Sequence, residues 1–356
     1  MRIPDIRLND ISRFRGEHMG VAIIIIVLFH VFVPRSSEFY CLKRMGNLGV
    51  DIFLFLSGVG LWYSWTKEKA HSISGKVTEY ADNTLPPFSW KAFMRKYAMF
   101  YWRRLKRVYP IWFIVACYYF IPRFNGDDWI DLFGDILINW GFWLHDELKF
   151  WYVPAIMMLY VIAPPYIELI RRHDTYRWIV VLTVVWCIIV QYVTPVHNAV
   201  GHIEIFWSRI PIFLIGINMG EMIRQRKTLE GSTLWLIIIT FIMTLTACLY
   251  LEQVKHGLFP LFLERMIYIP LAITFLILLN MLLCKTPAAI RKALAWVGSI
   301  SLEIYLIHMI FILTPLTHYH LGYWTTFFLT MVITLPIAWT IQQVINKIMS
   351  LTVKRK

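Results

Sequence analysis

Apolar segments long enough to cross a bilayer recur along the whole chain. A spanning helix needs about 20 mostly apolar residues, because the hydrocarbon core of a membrane is about 30 Å thick. Hydrophobic residues make up 58% of the sequence and charged residues only 16%, whereas soluble domains are about 25% charged. The pattern predicts an all-α polytopic membrane bundle of about ten transmembrane helices, at 17–34, 47–65, 108–122, 150–168, 177–194, 206–223, 232–251, 259–284, 295–316 and 323–349.

The loop charges predict the orientation of this bundle. Lys and Arg in alternating loops number 27 on one side and 6 on the other. Basic loops stay in the cytoplasm, so we expect both termini there. The net charge of +13 follows from the same rule and does not indicate nucleic-acid binding. The basic start of the chain resembles a signal peptide, but no small-residue cleavage site follows the first apolar run, which favours a retained helix.

Two segments between the spans have patterns of their own. The cytoplasmic loop 66–107 has a polar insert around 72–87 and ends in "FMRKYAMFYWRRLKRVYP", where basic and aromatic residues alternate at helical spacing. This end is typical either of a helix on the inner membrane surface or of a site for a phosphorylated ligand, since guanidinium groups match phosphate oxygens. Segment 129–144 is too short and acidic to span and predicts an interfacial helix on the outer side. Residues 1–356 are expected to form one membrane-embedded domain.

Cysteine and glycine spacing indicates packing rather than chemistry. The 5 Cys form no CxxC pair, so we predict neither a disulfide framework nor a metal site. Gly216 and Gly220 in "GINMG" have the spacing of small residues where helices approach closely.

Ionisable residues inside the spans mark candidate functional sites, because a charge within a bilayer is costly. His30 lies four residues before Pro34, and Asp51 lies four residues into the second span. Both are therefore expected about 6 Å below the outer ends of adjacent helices. We expect a His30–Asp51 pair, in which the carboxylate orients the imidazole as a general base.

Other spans add polar residues to the same layer. Tyr152 and Arg209 begin spans four and six on the outer side. In span nine, Ser301, Tyr305 and His308 share one helical face. For His308 alone, a structural hydrogen-bonding role is as plausible as a catalytic one.

Three further acidic and basic residues have simpler interpretations. Glu303 is expected to point away from the face that carries His308. Glu264 and Arg265, which are adjacent in span eight, are expected to pair with each other.

Six segments resemble the acyltransferase-3 family of integral membrane O-acyltransferases. "MGVAIIIIVLFH" is similar to the family's first-helix motif, which ends in His, and "LGVDIFLFLSGVGLWYS" to its second-helix signature. "FYWRRLKRVYPIW" resembles the basic stretch that ends in Tyr-Pro. "KFWYVPAIMMLYVIAP", "RIPIFLIGINMG" and "WVGSISLEIYLIHM" resemble the later blocks. The segments occur in order through most of the chain, and the soluble hydrolase-like domain that some members carry is not expected.

The resemblance implies transfer of an acyl group, most commonly acetyl, from a cytoplasmic acyl-CoA to a hydroxyl of an extracytoplasmic or lipid-linked glycan. It implies a multi-pass protein of the bacterial cytoplasmic membrane, with acyl-CoA as donor substrate, a glycan acceptor, surrounding lipid and no permanently bound cofactor. A transporter or flippase for a glycolipid or acylated sugar is the alternative, because it would use the same intramembrane charges as a gate.

The resemblance also suggests roles for the candidate residues. His30 would remove the proton from the acceptor hydroxyl or take the acyl group itself. Arg209 and Tyr152 would stabilise the oxyanion, with His308 in the same site. The CoA phosphates would meet three arginines at the cytoplasmic mouth, namely Arg103, Arg104 and Arg107.

The sequence departs from the family at Met19, where relatives usually carry a basic residue with ten residues between it and the first-helix His. Either a nearby basic residue replaces it, from among Arg13, Arg15 and His18, or the arginines of the mouth suffice. Arg15 is our candidate for donor binding.

Overall fold

The computed structural model describes residues 5–37, 40, 43, 45–66, 87–255 and 258–354. Positions 72–86 of the polar insert predicted in the cytoplasmic loop lie outside the described residues. Within the described part, the only strands are Ile6–Arg7 (β1) and Thr228–Leu229 (β2), which form a two-residue antiparallel ladder. All other regular elements there are helical, which confirms the predicted fold class.

Most of the described part of the chain is folded into α-helices. In chain order they are α1 (Asp10–Arg13), α2 (Arg15–His30), α3 (Gly46–Thr66), α4 (Trp90–Phe120), α5 (Trp129–Ile138), α6 (Trp140–Leu144), α7 (Tyr152–Arg172), α8 (Ile179–Tyr192), α9 (Thr194–Val200), α10 (Glu204–Trp207), α11 (Ile210–Arg224), α12 (Thr233–Gln253), α13 (Leu261–Lys285), α14 (Ala288–Ser299), α15 (Ser301–Ile307), α16 (Thr314–Thr317) and α17 (Tyr323–Lys354). A π-helical turn, His308–Leu313, connects α15 to α16.

Six helices of the described residues are long and apolar enough to cross a membrane, and the number rises to 8 if each of two bent helix pairs is one span. The bent pairs are α9–α10 with α11, at 44°, and α14 with α15–α16, at 57°. Adding α2, which has 16 residues, and α4, which has 31, gives the ten spans that the sequence predicts. The chain is a multi-pass membrane protein.

Two helices have boundaries that differ from the prediction. Helix α2 ends at His30, because Val31 is already extended and the approach to Pro34 disfavours helix. Helix α4 runs without interruption from Trp90 to Phe120, through Pro110. The basic stretch, for which the sequence allows either a helix on the inner membrane surface or a phosphate site, is therefore the first half of one long helix that continues into the predicted third span. Its Lys, Arg, Met and Ala residues are strong helix formers, and Ser89 caps its first turn.

Glycines bring α3 close to its neighbours. A Cβ on Gly216 of α11 would lie 2.3 Å from the Phe55 carbonyl oxygen, and a Cβ on Gly220 would lie 2.5 Å from Trp62 Cβ. These contacts confirm the packing role predicted for both glycines. On the other face of α3, a Cβ on Gly49 would lie 2.6 Å from the Ala22 carbonyl oxygen. Helices α2, α3 and α11 therefore form a tightly packed centre.

The segment predicted as an interfacial helix forms two short helices, α5 and α6. They are separated at Asn139, whose φ of 53° is left-handed. Trp129, Ile130 and Phe133 expose their side chains on α5, as expected of an amphipathic helix that contacts lipid. Its interfacial position stays a prediction.

Candidate active site

A cavity of about 440 Å³ lies between α2, α3, α4, α7, α15 and α17. One end is lined by basic residues of α4 and by Gln342 and Asn346 of α17, and the other end by Val50, Phe53 and Tyr152. The lining on α3 runs from Val50 to Leu61, which is about 16 Å along a helix axis. Under the predicted orientation, the basic end faces the cytoplasm.

The basic end gathers the arginines that the sequence predicts as the donor site. Arg15, Arg103, Arg104, Lys106 and Arg107 line it, and Glu303 is the single acidic residue among the lining residues. Arg15 and Arg104 are half-buried, and Arg15 lies within electrostatic range of Arg107 and Arg104. Within the described residues none of these four arginines has an ion-pair partner. Like charges held together in this way favour an anionic ligand.

Arg15 lies beside Met19, the position where a basic residue is missing. Both side chains line the cavity, and the Arg15 guanidinium packs on Gly60, where a Cβ would lie 3.3 Å from Nη2. The other two basic candidates are engaged elsewhere. Arg13 pairs with Asp10, at 3.7 Å, and His18 Nε2 is 2.6 Å from the side-chain oxygen of Asn280. Of the three neighbours, Arg15 is the one that the fold brings to the cavity.

Two tyrosines line the far end of the cavity. The Tyr152 hydroxyl meets the Ser57 side chain, and the Tyr152 backbone N–H donates to the Tyr305 hydroxyl, at 3.2 Å. Their ring centroids are 5.3 Å apart. Ser301 and Tyr305 both line the cavity, as their shared helical face predicts. Glu303 lines it as well, so the prediction that Glu303 points elsewhere is wrong.

His30 and His308 lie together one helical turn beyond this end. His308 Nε2 is 3.2 Å from His30 Nδ1, and the ring centroids are 4.9 Å apart. The last lining residue on α2 is Ile26, four residues or about 6 Å below His30. The Tyr305 ring lies 6.3 Å from the His308 ring. Tyr305 therefore lines the cavity and also lies next to His308 of the histidine pair.

The predicted pair of His30 with Asp51 is wrong. Asp51 Oδ1 is 2.5 Å from Arg209 Nη1, and both side chains are buried. Arg209 also donates to Asn47, at 3.3 Å. Arg209 does not line the cavity, so the structure does not bring it to Tyr152 as the predicted oxyanion site requires.

The register of α2 and α3 explains this difference. The prediction placed His30 one turn inside span one, but His30 is the last residue of α2. The start of α3 is level with this end, because a Cβ on Gly46 would overlap the Phe29 side chain. Asp51, five residues further, is about 7 Å deeper in the bundle. At that depth the cation of Arg209 binds the carboxylate.

Arg265 has a partner other than the predicted one. It pairs with Glu204 of α10 and donates to the Ser208 hydroxyl, at 3.0 Å. It also lies within electrostatic range of Arg209 and Asp51. The Asp51–Arg209 and Arg265–Glu204 pairs together carry four formal charges that sum to zero. None of these four residues lines the cavity.

Sequence reasoning missed several lining residues. Gln342 and Asn346 stand on α17 at i and i+4, which is the spacing of one helical face. This shared face was the signal available, but the neighbouring Gln343 and Lys347 make the end of the span polar on other faces as well. Ser57 and Tyr160 also line the cavity, but a single hydroxyl inside a span does not distinguish a lining residue from a packed one.

Comparison with known proteins assigns the chain to a family. The family model described as an acyltransferase domain, that of the acyltransferase-3 family, matches residues 20–343. No curated protein and no solved structure matches the chain. The match includes α3 to α16, the histidine pair and most of the cavity lining. The chain therefore belongs to the acyltransferase-3 family of membrane acyltransferases.

Proposed function

We propose that the protein transfers an acetyl group from cytoplasmic acetyl-CoA to a hydroxyl of an extracytoplasmic or lipid-linked glycan. One observation carries this proposal: arginines without ion-pair partners among the described residues converge on one end of a cavity whose other end lies beneath His30 and His308. This arrangement and the family support the choice of donor, and the resemblance of the six segments to the family's motifs supports the choice of a glycan acceptor.

The basic end is suited to the phosphates of CoA. Arg103 and Arg107 are exposed at the mouth, whereas Arg104 and Arg15 are half-buried within it. Arginine binds phosphate oxygens through two parallel N–H donors. The lining residues here carry five basic groups against one carboxylate, so an anion of several charges is favoured.

The length of the cavity is suited to the pantetheine arm. The lining on α3 extends over about 16 Å, roughly half of a hydrocarbon core about 30 Å thick. With its phosphates at the arginines, the thioester would lie near Tyr152 and Tyr305. The apolar side chains of Ile26, Val50 and Phe53 line this end and keep water away from the thioester.

In the proposed reaction His30 acts as the base. As the acceptor oxygen attacks the thioester carbonyl carbon, its proton passes to His30. The carbon–sulfur bond then breaks, and the CoA thiolate takes the proton back from the imidazolium. A variant of this route first forms an acetyl-histidine. The acceptor would enter from the outer side, because His30 ends α2 there under the predicted orientation.

Tyr152 is the candidate for stabilising the oxyanion. Its hydroxyl lies at the far end of the cavity, away from the basic mouth, and in this apolar surrounding a hydrogen-bond donor is worth more than in water. Arg209, predicted for the same role, instead holds Asp51. We therefore assign the Asp51–Arg209 pair a structural task below the histidines.

The experiment uses the purified protein in liposomes with radiolabelled acetyl-CoA. Release of free CoA, with label passing to a glycolipid acceptor or to a histidine, is the expected result. Movement of a glycolipid across the bilayer without any CoA release would contradict the proposal and favour the transporter. Mass spectrometry of surface glycans from a deletion strain then identifies the acceptor by its lost acetyl mass.

A further inference from the structure

The two histidines are joined by a hydrogen-bond arrangement that fixes their protons. His308 Nδ1 lies 2.8 Å from the Ile304 carbonyl oxygen and 2.9 Å from that of Tyr305. His30 Nδ1 lies 2.8 Å from the Ile26 carbonyl oxygen and 3.2 Å from His308 Nε2. A carbonyl oxygen only accepts hydrogen bonds, so the protons of the neutral rings follow from these partners.

The position of the proton on His308 determines the position of the proton on His30. Because two carbonyl oxygens face Nδ1 of His308, this nitrogen carries the proton and donates. Nε2 of the same ring is then unprotonated and accepts. The atom that faces it, His30 Nδ1, must donate, and its proton is shared between His308 and the Ile26 carbonyl. His30 Nε2 is then unprotonated and has a free lone pair, since it makes no hydrogen bond within the described residues.

We propose that His308 is the positioning residue that holds His30 in the Nδ1–H tautomer, so that Nε2 is the atom that takes the acceptor proton. This inference rests on the proposed function and deepens it. When His30 becomes an imidazolium, its Nδ1–H bond to His308 becomes charge-assisted and stronger. His308 thus fills the orienting role that the sequence assigns to Asp51.

The local backbone is built around His308. Helices α14 and α15 meet at a bend of 57°, and His308 is the first residue of the π-helical turn. Such turns are rare and occur frequently at functional sites. The His308 side chain is 1% exposed, so water does not compete for its Nε2. His30, by contrast, is half-buried, so a substrate can reach its side chain.

The kinetic test compares two substitutions of His308. In His308→Gln the side-chain oxygen reaches the place of Nε2 and still accepts, whereas His308→Met fills the space without a comparable acceptor. We expect His308→Met to lower kcat by about 100-fold, which is the lower end of the rate enhancement that general acid–base catalysis provides. The KM for acetyl-CoA should stay unchanged. His308→Gln should recover most of this loss. His173→Gln is the control, because His173 directly follows the far end of α7.

Equal losses in the Gln and Met variants, or a KM that rises with the fall in kcat, would overturn the proposal. Such results indicate that His308 only packs the bundle.

A second readout does not depend on acyl transfer. Solid-state NMR of ¹⁵N-histidine protein reports which ring nitrogen carries the proton, and His30→Ala assigns the His30 signals among the 11 His. We expect His30 as Nδ1–H in the wild type and a mixture of tautomers in His308→Met. An Nε2–H tautomer of His30 in the wild type would overturn the inference even if acetyl transfer is confirmed. Correct tautomers without any acetyl transfer would instead overturn the proposed function.

Discussion

Asp51 and Arg209 form an ion pair, with 2.5 Å between Oδ1 and Nη1, and their side chains are 1% and 2% exposed. The pair joins α3 to the residue that precedes α11, beside the glycine contacts of the same two helices. Removing one member of a buried pair leaves an unpaired charge, whereas replacing both with apolar residues is often neutral. Single and double substitutions of this pair therefore distinguish a structural role of Asp51 from a catalytic one.

Asp51→Asn should destabilise the protein by about 3–5 kcal/mol, because Arg209 is then buried without its counter-charge. The double variant Asp51→Leu with Arg209→Met should recover most of the stability and most of the turnover. Thermal unfolding in detergent and CoA release measure the two properties. A stable but inactive Asp51→Asn protein would contradict this assignment and restore the direct role beside His30.

Arg15→Ala should raise the KM for acetyl-CoA by about 10- to 100-fold, since a hydrogen bond to a charged group contributes about 1.5–3 kcal/mol. The change in kcat should be small, because Arg15 lies at the basic end of the cavity, whereas Tyr152 and Tyr305 line the far end. Arg13→Ala is the matched control, since Arg13 is on the neighbouring turn but pairs with Asp10. An unchanged KM in Arg15→Ala would show that the arginines of α4 bind the donor without it.

Gly60→Val should act through Arg15. The position of a Gly60 Cβ is 3.3 Å from the guanidinium, so a larger side chain moves the charge away from its place. We expect a raised KM in the single variant and little further change when Gly60→Val is added to Arg15→Ala. Non-additive effects of this kind identify residues that act together. Additive increases would mean that the valine simply narrows the cavity.

Tyr152→Phe should lower kcat by about 10²- to 10³-fold, the loss found when an oxyanion donor is removed. Steady-state kinetics with acetyl-CoA measure it, and the KM should stay near the wild-type value. Tyr166→Phe is the control, because the Tyr166 hydroxyl donates to Asn218 outside the cavity, at 2.8 Å. A Tyr152→Phe enzyme with full kcat would exclude the hydroxyl from the chemistry.

Local sequence was sufficient for the parts of the site that lie on one helix. Arg103, Arg104 and Arg107 are near neighbours on α4, and Arg15 stands one turn before Met19. Helical periodicity and the polarity of the loops place these arginines near the same membrane surface, whereas the meeting of Arg15 with the arginines of α4 in one cavity is seen only in the structure. Length and composition identify up to 8 of the ten predicted spans among the described residues, and α2 and α4 account for the other two.

Partners from different helices could not be predicted in the same way. Counting residues from the ends of spans gives an approximate depth, but the register of α2 and α3 depends on how Gly46 and Gly49 pack against α2. His30 and His308 are 278 positions apart, and their contact requires the bend before Ser301 and the π-helical turn. Neither feature has a signature in the residues that form it.

The most direct test of the central claim is the rate at which purified His30→Ala releases CoA from acetyl-CoA, compared with wild type at equal folded amounts. We expect turnover to fall at least about 100-fold, while acetyl-CoA still binds, because the arginines proposed to hold the donor are untouched. Turnover at the wild-type rate in His30→Ala would contradict the claim that acetyl transfer takes place at this histidine.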